Sequence, residues 1–181
     1  PEAHRAAILA AARVIFEERG YTRGTIREIA RRAGVTHGLV MRHFPTKKQL
    51  FVSSLLANRV EERYDGPVGE LPGHIARRYV ENIELDGQSD RFIALVRSAG
   101  DVQVAQELLQ EMRKAPADAF FNVLDIPDLE QRGDLVGALL IGVTFSRYIL
   151  AEGPLASLAP DELVAYLSVA IRAILLEPLS G

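Results

Sequence analysis

The sequence predicts an all-α fold of about nine helices, a small N-terminal helix-turn-helix unit followed by a larger helical part. Three observations predict it. Residues 25–44, TIREIARRAGVTHGLVMRHF, read as two short helices hinged at Gly34. Elsewhere apolar residues recur at the 3.6-residue helical period, and no stretch alternates as a half-buried strand does. The charge is divided: residues 1–48 hold ten Lys or Arg against four Asp or Glu, and residues 49–181 hold eleven against twenty. A basic end on a chain of net charge −3 suits a phosphate-facing surface, while the acidic remainder repels non-specific contact.

At 181 residues the chain can bury a sizeable core and lies between one domain and two small ones. The absence of cysteine excludes disulfides, Cys-based zinc sites and a thiol nucleophile, and it suits the cytoplasm. The longest nearly apolar run, 135–145, falls well short of the ~20 residues that span a bilayer. No basic, apolar and small-residue signal opens the chain, so the expectation is a soluble cytoplasmic protein with no membrane partner.

The first helix is expected over about 2–19, with Ile8, Leu9, Ala12, Ile15 and Phe16 on its apolar face and Gly20 ending it. His4 and Arg5 stand at its start, where they either meet a phosphate or are solvated. Tyr21 is placed beneath the following turn. Thr25 and Glu28 form the three-residue spacing of a capping box, so the second helix starts at Thr25. Ile26, Ile29, Ala30 and Ala33 share one face of it, and Arg27, Glu28, Arg31 and Arg32 the other. Gly34 stops the helix because glycine accepts the positive φ of a tight turn. Thr36 caps a third helix in which Val40 and Phe44, at i and i+4, are the buried pair. That leaves His37, Gly38, Leu39, Met41, Arg42 and His43 outward. Ala30, Gly34 and Val40 stand where a helix-turn-helix needs a small residue, a turn glycine and an apolar anchor. His37, Arg42 and His43 are the residues expected to touch DNA, with Thr36 either capping or joining them.

From about residue 4 to residue 50 the chain resembles the DNA-binding domain of the tetracycline-repressor (TetR) family of bacterial transcription regulators. The resemblance rests on Gly20-Tyr21, Thr25, Ile29-Ala30, Ala33-Gly34-Val35 and the run Phe44-Pro45-Thr46-Lys47-Lys48-Gln49-Leu50. It departs at Leu39, where the family usually has Thr or Asn, and at Met41, where it usually has Tyr. Both changes replace a hydrogen-bonding side chain with an apolar one, which could touch a thymine methyl. The resemblance implies that Thr25, Thr36, His37, Gly38, Leu39, Met41, Arg42, His43 and Lys47 bind DNA. Thr22 and Arg23 would lie near backbone phosphates, and Lys47 would bind one. Lys48 either joins Lys47 or is solvated. It further implies a reading domain over 1–48 and an effector-binding and dimerisation domain over 49–181. Helix four, about 46–63, would connect them as a lever, joined to the rest through Leu50, Phe51, Ser54, Leu55 and Asn58.

Beyond a Gly- and Pro-rich loop at 64–72, helices five to seven are expected at about 73–85, 90–98 and 101–124, with Pro116 kinking or splitting the last. Phe92, Val96, Met112, Phe120, Phe121 and, further on, Phe145 line an effector cavity or form plain core. His74, Arg77, Arg78, Arg97 and Arg113 either supply polar contacts there or are solvated. The eighth helix, about 128–152, aligns Ala138, Gly142 and Ser146 in one row with Leu135 beside it. The last, about 161–176, carries Leu163, Leu167, Ala170, Ile171 and Ile174. Both have more apolar surface than one neighbour covers, and the resemblance implies a homodimeric four-helix bundle; the alternative is an intrachain core.

Four scattered histidines with no Ser-His-Asp set, phosphate loop or His-x-x-x-His spacing give no expectation of an enzyme, a metal or a cofactor. The combined expectation is a homodimeric, ligand-responsive repressor. It would bind palindromic double-stranded DNA and be released by a small apolar or amphipathic effector. The alternative is a helical protein-protein adaptor with a repurposed helix-turn-helix.

Overall fold

The computed structural model describes residues 2–57, 64–87, 90–119 and 123–178, and within them the regular structure is entirely helical. Ten α-helices appear among the described residues: α1 (Glu2–Arg23), α2 (Ile26–Arg32), α3 (His37–His43), α4 (Lys47–Leu56), α5 (Leu71–Asp86), α6 (Arg91–Arg97), α7 (Val102–Ala119), α8 (Leu129–Thr144), α9 (Pro154–Ser157) and α10 (Pro160–Leu176). The tenth is the single turn α9, which falls between the two last helices that the periodicity shows. Asn58, Phe120 and Phe121 lie outside the described residues.

Two compact units are formed. The helices α1 to α4 cluster with Ser98–Leu108, and α5, α6, α8, α9 and α10 cluster with the rest of α7.

In the first unit α1 packs on α2 and α4, and α2 on α3. Ile8, Leu9, Ala12, Ile15 and Phe16 are all buried along α1, as their spacing requires. Gly20, at φ 72 and ψ 171, breaks the helix as expected, and one more turn to Arg23 follows the break. That turn carries Tyr21 onto the Phe16 and Phe51 rings, 6.2 and 5.1 Å away between centroids, while Phe51 stands edge-on to Phe16 at 5.1 Å.

In the second unit α10 packs on α5 and α8, and α6 on α8. Helix α5 begins at Leu71, two residues earlier than its pattern suggests, because Pro72 falls in the first turn, where no N–H is needed. The loop before it is held by Tyr64, whose hydroxyl donates to the Pro67 carbonyl at 2.8 Å and whose ring lies where a side chain on Gly66 would be. Asp90 opens α6, its Oδ1 accepting the Phe92 N–H at 2.7 Å. Helix α7 runs through Pro116 to Ala119 as one α-helix, so of the two expected effects of the proline, splitting does not occur. The proline removes one N–H near the end of an eighteen-residue helix, and the remaining ladder carries the helix past it. Helix α8 passes at Phe145–Leu150 into a π-helical turn.

Two arginines serve the core of the second unit. Arg132 is buried and its Nη1 donates to the Ile174 and Glu177 carbonyls at 2.7 and 2.9 Å, which satisfies acceptors left open at the end of α10. Arg147 is buried likewise, with Nη1 donating to the Leu155 carbonyl at 2.7 Å.

Candidate nucleic-acid interface

The reading unit is set by four local devices. At Thr25 the backbone is extended, the hydroxyl accepts the Glu28 N–H at 3.3 Å, and Glu28 Oε2 accepts the Thr25 N–H at 3.2 Å. The Thr25 hydroxyl also gives its proton to Glu28 Oε2, at 2.8 Å, so both its N–H and its O–H are committed to the cap. Arg19 pairs with Glu28 Oε1. The hydrogen bond from Thr25, with Arg19 and Arg31 nearby, holds the Glu28 carboxyl below the usual carboxylate range.

Gly34 then turns the chain at φ 67, with the Val35 N–H reaching back to the Ala30 carbonyl at 3.0 Å. Thr36 caps α3: its Oγ1 accepts the Leu39 N–H at 3.2 Å, which leaves its own O–H able to donate outward. Thr46 caps α4 in the same way through the Gln49 N–H at 3.1 Å.

These devices fix which face of α3 turns inward. Val40 is fully buried and Phe44 is 4 % exposed, whereas His37, Gly38 and Arg42 are exposed and Leu39, Met41 and His43 are half-buried. Arg5, from the start of α1, lies with its guanidinium 5.3 Å from the Phe44 ring centroid, bringing a second cation beside the end of α3. His4 is exposed on the same first turn of α1.

The two lysines of the Phe-Pro-x-Lys-Lys run differ. Lys47 donates to the Thr22 carbonyl at 3.1 Å and lies 4.8 Å from the Tyr21 ring centroid, and burial pushes its pKa down. Lys48 reaches Glu107 on α7 at 2.8 Å, and that hydrogen bond raises its pKa. Burial and the charges of Asp101 and Glu107 raise the Tyr21 hydroxyl, with Lys48 opposing them. Sequence reasoning missed the Lys48–Glu107 pair, because no local spacing joins residues so far apart in the chain.

In the second unit the effector candidates separate. Phe92 and Met112 are buried and Val96 half-buried, but Phe145 is 45 % exposed, on the surface of the π-helical turn. Phe92 stands edge-on to Tyr79 at 5.2 Å, and the Tyr79 hydroxyl lies 2.9 Å from Thr144 Oγ1 and 3.2 Å from the Leu140 carbonyl. Burial pushes the Tyr79 hydroxyl far above the usual phenol range. Tyr79, bonded to Thr144, is thus one polar group beside Phe92, and the Arg91 guanidinium, 5.3 Å from the Phe92 ring centroid, is another. Arg113 is instead held by Asp134, in two bonds of 2.8 and 2.9 Å, His74 lies against the Tyr64 ring, and Arg77 and Arg97 are exposed. A groove of about 330 Å³ in this unit is lined by residues of α5 and the start of α10, including Glu81, Leu85, Asp161 and one polar effector candidate, Arg77, but Phe92, Val96, Met112 and Phe145 are not among its lining residues.

The dimerisation candidates separate too. Leu163, Leu167 and Ile171 are at most 3 % exposed within the single chain, since the stripe they form with Leu175 faces the protomer's own core. Exposed instead are Leu135 at 58 % and, on α10, Tyr166 at 69 % and Val169 at 71 %. Ala138 and Gly142 are exposed, and Ser146, Ala170 and Ile174 half-buried.

Residues 8–53 match the model of the bacterial regulatory proteins of the tetR family, and residues 69–175 match that of the tetracyclin repressor-like C-terminal domain. The chain is 31 % identical over 147 residues to the helix-turn-helix-type transcriptional repressor BepR of Brucella suis biovar 1, covering 72 % of this chain and 68 % of that one. It is 60 % identical over 45 residues to a helix-turn-helix-type transcriptional repressor of Mycobacterium tuberculosis, a match covering 25 % of this chain and only 24 % of the relative's length. A solved TetR-family regulator from Streptomyces coelicolor A3 superposes with a TM-score of 0.57 at 28 % identity, covering 98 % and 97 % of the two chains.

Proposed function

Because the chain belongs to the TetR family of bacterial regulatory proteins and is a DNA-binding transcription regulator, we propose that it acts as a homodimeric repressor, released from a palindromic site by a small apolar or amphipathic effector. The observation that carries the DNA-reading part is the division of α3, with Val40 and Phe44 buried while His37, Gly38 and Arg42 are exposed, and with Arg5 lying over the Phe44 ring at the helix end. Arg42 is the side chain able to fork onto a guanine edge or grip a phosphate, and His37 and His43 donate or accept at base edges. The Thr36 hydroxyl, whose oxygen accepts the Leu39 N–H, has its proton to donate to a DNA phosphate. Leu39 and Met41 offer apolar contact, and Lys47 adds its charge from the Thr22 turn. Thr25 serves through its cap.

Dimerisation is assigned to α8 and α10. Leu135, Ala138, Gly142 and Phe145 follow one another at spacings of three, four and three residues, the seam of a helix pair, and Ala138 and Gly142 let a partner helix come close. Tyr166 and Val169 extend the seam onto α10. Helix α8 with its π-helical turn, Leu129–Leu150, is by length and composition apolar enough to cross a membrane; we assign that surplus to the second copy. Two reading heads would then address half-sites roughly 34–36 Å apart.

The functional division falls near residue 48, with helix four as the lever. An effector held near Phe92, Val96 and Met112 shifts the dimer only by preferring the form whose reading heads are out of register with DNA. A crosslink between the two copies' α4 helices should abolish induction, and unchanged induction would count against the lever. Replacing Arg42 and His43 together by Ala tests the reading head. The double variant should stay folded and dimeric and lose roughly 2–6 kcal/mol of operator affinity, at ~1–3 kcal/mol for each good base contact. Unchanged affinity would move the function away from α3.

A further inference from the structure

Helix α8 ends in a π-helical turn at Phe145–Leu150, a rare geometry that occurs mostly at functional sites. The turn carries Arg147 and Tyr148 side by side and packs on α6, the helix that holds Phe92. Arg147 is buried, and although its Nη1 donates to the Leu155 carbonyl at 2.7 Å, its Nε–H meets no acceptor among the described residues. Tyr148 is half-buried, yet its hydroxyl oxygen is buried and has no hydrogen-bond partner among them either. The Arg147 guanidinium lies 5.3 Å from the Tyr148 ring centroid, so two open donors stand together. Arg132 leaves its Nε–H open as well, but at the opposite end of α8, where neither neighbour in the chain offers a second open donor. A buried donor left unmatched costs stability, and a pair of them fits an acceptor brought by a ligand.

The surroundings select the acceptor. Burial raises the Tyr148 hydroxyl, with Arg147 opposing and Glu84 and Asp90 adding to the rise, so the phenol keeps its proton and can donate it. Tyr79, raised chiefly by burial, feels the Tyr148, Asp90 and Arg147 charges too, and its ring stands against Phe92. Its own hydroxyl is already bonded to Thr144, and Asp90 Oδ1 accepts the Phe92 N–H at 2.7 Å. A carboxylate here would stand near the like charges of Asp90 and Glu84, whereas an uncharged carbonyl meets no such repulsion.

We propose that the Arg147 Nε–H and the Tyr148 O–H hold the carbonyl oxygen of an uncharged amphipathic effector, whose apolar part lies against Phe92. The inference rests on the effector site being at Phe92 and names the polar group that the effector carries there.

The test uses three probes of one shape: 4-phenyl-2-butanone, its oxygen-free counterpart butylbenzene, and the anion 3-phenylpropionate. Binding of each at neutral pH is measured by ligand-observed NMR with the wild-type protein, Tyr148→Phe and Arg147→Lys. Tyr148→Phe removes a buried hydroxyl that no protein group satisfies, so it should melt at or above the wild-type temperature. It should weaken the ketone by about three- to tenfold and leave butylbenzene unchanged. Arg147→Lys, which keeps the charge without the Nε–H, should weaken the ketone and spare butylbenzene likewise. A lower melting temperature for Tyr148→Phe would overturn the proposal by showing that ordered water satisfies the hydroxyl within the fold. Equal losses for ketone and butylbenzene, or no loss for the ketone, would overturn it while leaving an apolar effector site at Phe92 intact. Tighter binding of 3-phenylpropionate than of the ketone would overturn the uncharged carbonyl. Binding of none of the three to the wild-type protein would remove the effector site at Phe92 first, and the proposal with it.

Discussion

Gly34 is where backbone conformation alone should decide stability. It turns α2 into α3 at φ 67, and an added Cβ would meet no atom within 4 Å. Crowding therefore contributes nothing, and the cost of Gly34→Ala is the left-handed backbone, roughly 1–2 kcal/mol. Alanine returns about 0.4–1 kcal/mol by narrowing the unfolded ensemble, so the net loss should be about 1 kcal/mol. For a protein of this size that lowers Tm by about 2–4 °C. Asparagine tolerates the left-handed region, and Gly34→Asn should recover most of the loss. Gly24→Ala and Gly24→Asn provide the contrast, because a Cβ at Gly24 lies 2.9 Å from a Phe16 ring carbon and 3.2 Å from the Gly20 carbonyl oxygen. Overpacking there should cost about 1–3 kcal/mol for either residue, with no relief from asparagine. The assay is thermal and urea unfolding of the four variants followed by circular dichroism. If Gly34→Asn were as damaging as Gly34→Ala, the turn would not be held by its φ, and the account of the hinge would fail.

Glu28→Gln should weaken the reading unit selectively above the acid range. The native carboxyl is depressed, so its stabilisation is full above the unfolded pKa and is lost as pH falls through the lower, folded value. Melting curves of the two proteins should therefore converge at the acid end; a constant gap would assign the effect to something other than the charge. Val169→Glu, at an exposed position of α10, should yield a folded monomer by sedimentation, whereas an intact dimer would place the interface elsewhere. Arg132→Met strips the Ile174 and Glu177 carbonyls of their donor and should cost about 1–3 kcal/mol in unfolding, and no cost would mean that water replaces it.

What was legible in the sequence was local. The Thr25–Glu28 box, the Gly34 hinge, the Thr36 cap and the Val40–Phe44 anchor each depend on residues within a turn or two, and each appears in the structure at the expected position. What was hidden depends on neighbours far along the chain. A helix as apolar as α10 offers periodicity in more than one direction, so the sequence does not tell the core stripe of Leu163, Leu167 and Ile171 from the exposed Tyr166 and Val169. Arginines are usually solvated, and the burial of Arg132 follows only from where α10 leaves its last carbonyls. Lys48 finds Glu107 only because α7 begins beside α4. A proline removes one hydrogen bond, and near the end of the long helix α7 that loss does not split it at Pro116.

The most direct test is selection of duplexes from a random DNA pool by the purified protein at a fixed, stated salt concentration. A recovered palindrome, with half-site centres about 10 base pairs apart and enrichment lost in the Arg42→Ala, His43→Ala double variant, is the predicted result. Retention without sequence preference, or equal enrichment by the double variant, would contradict a dimeric reader built on α3.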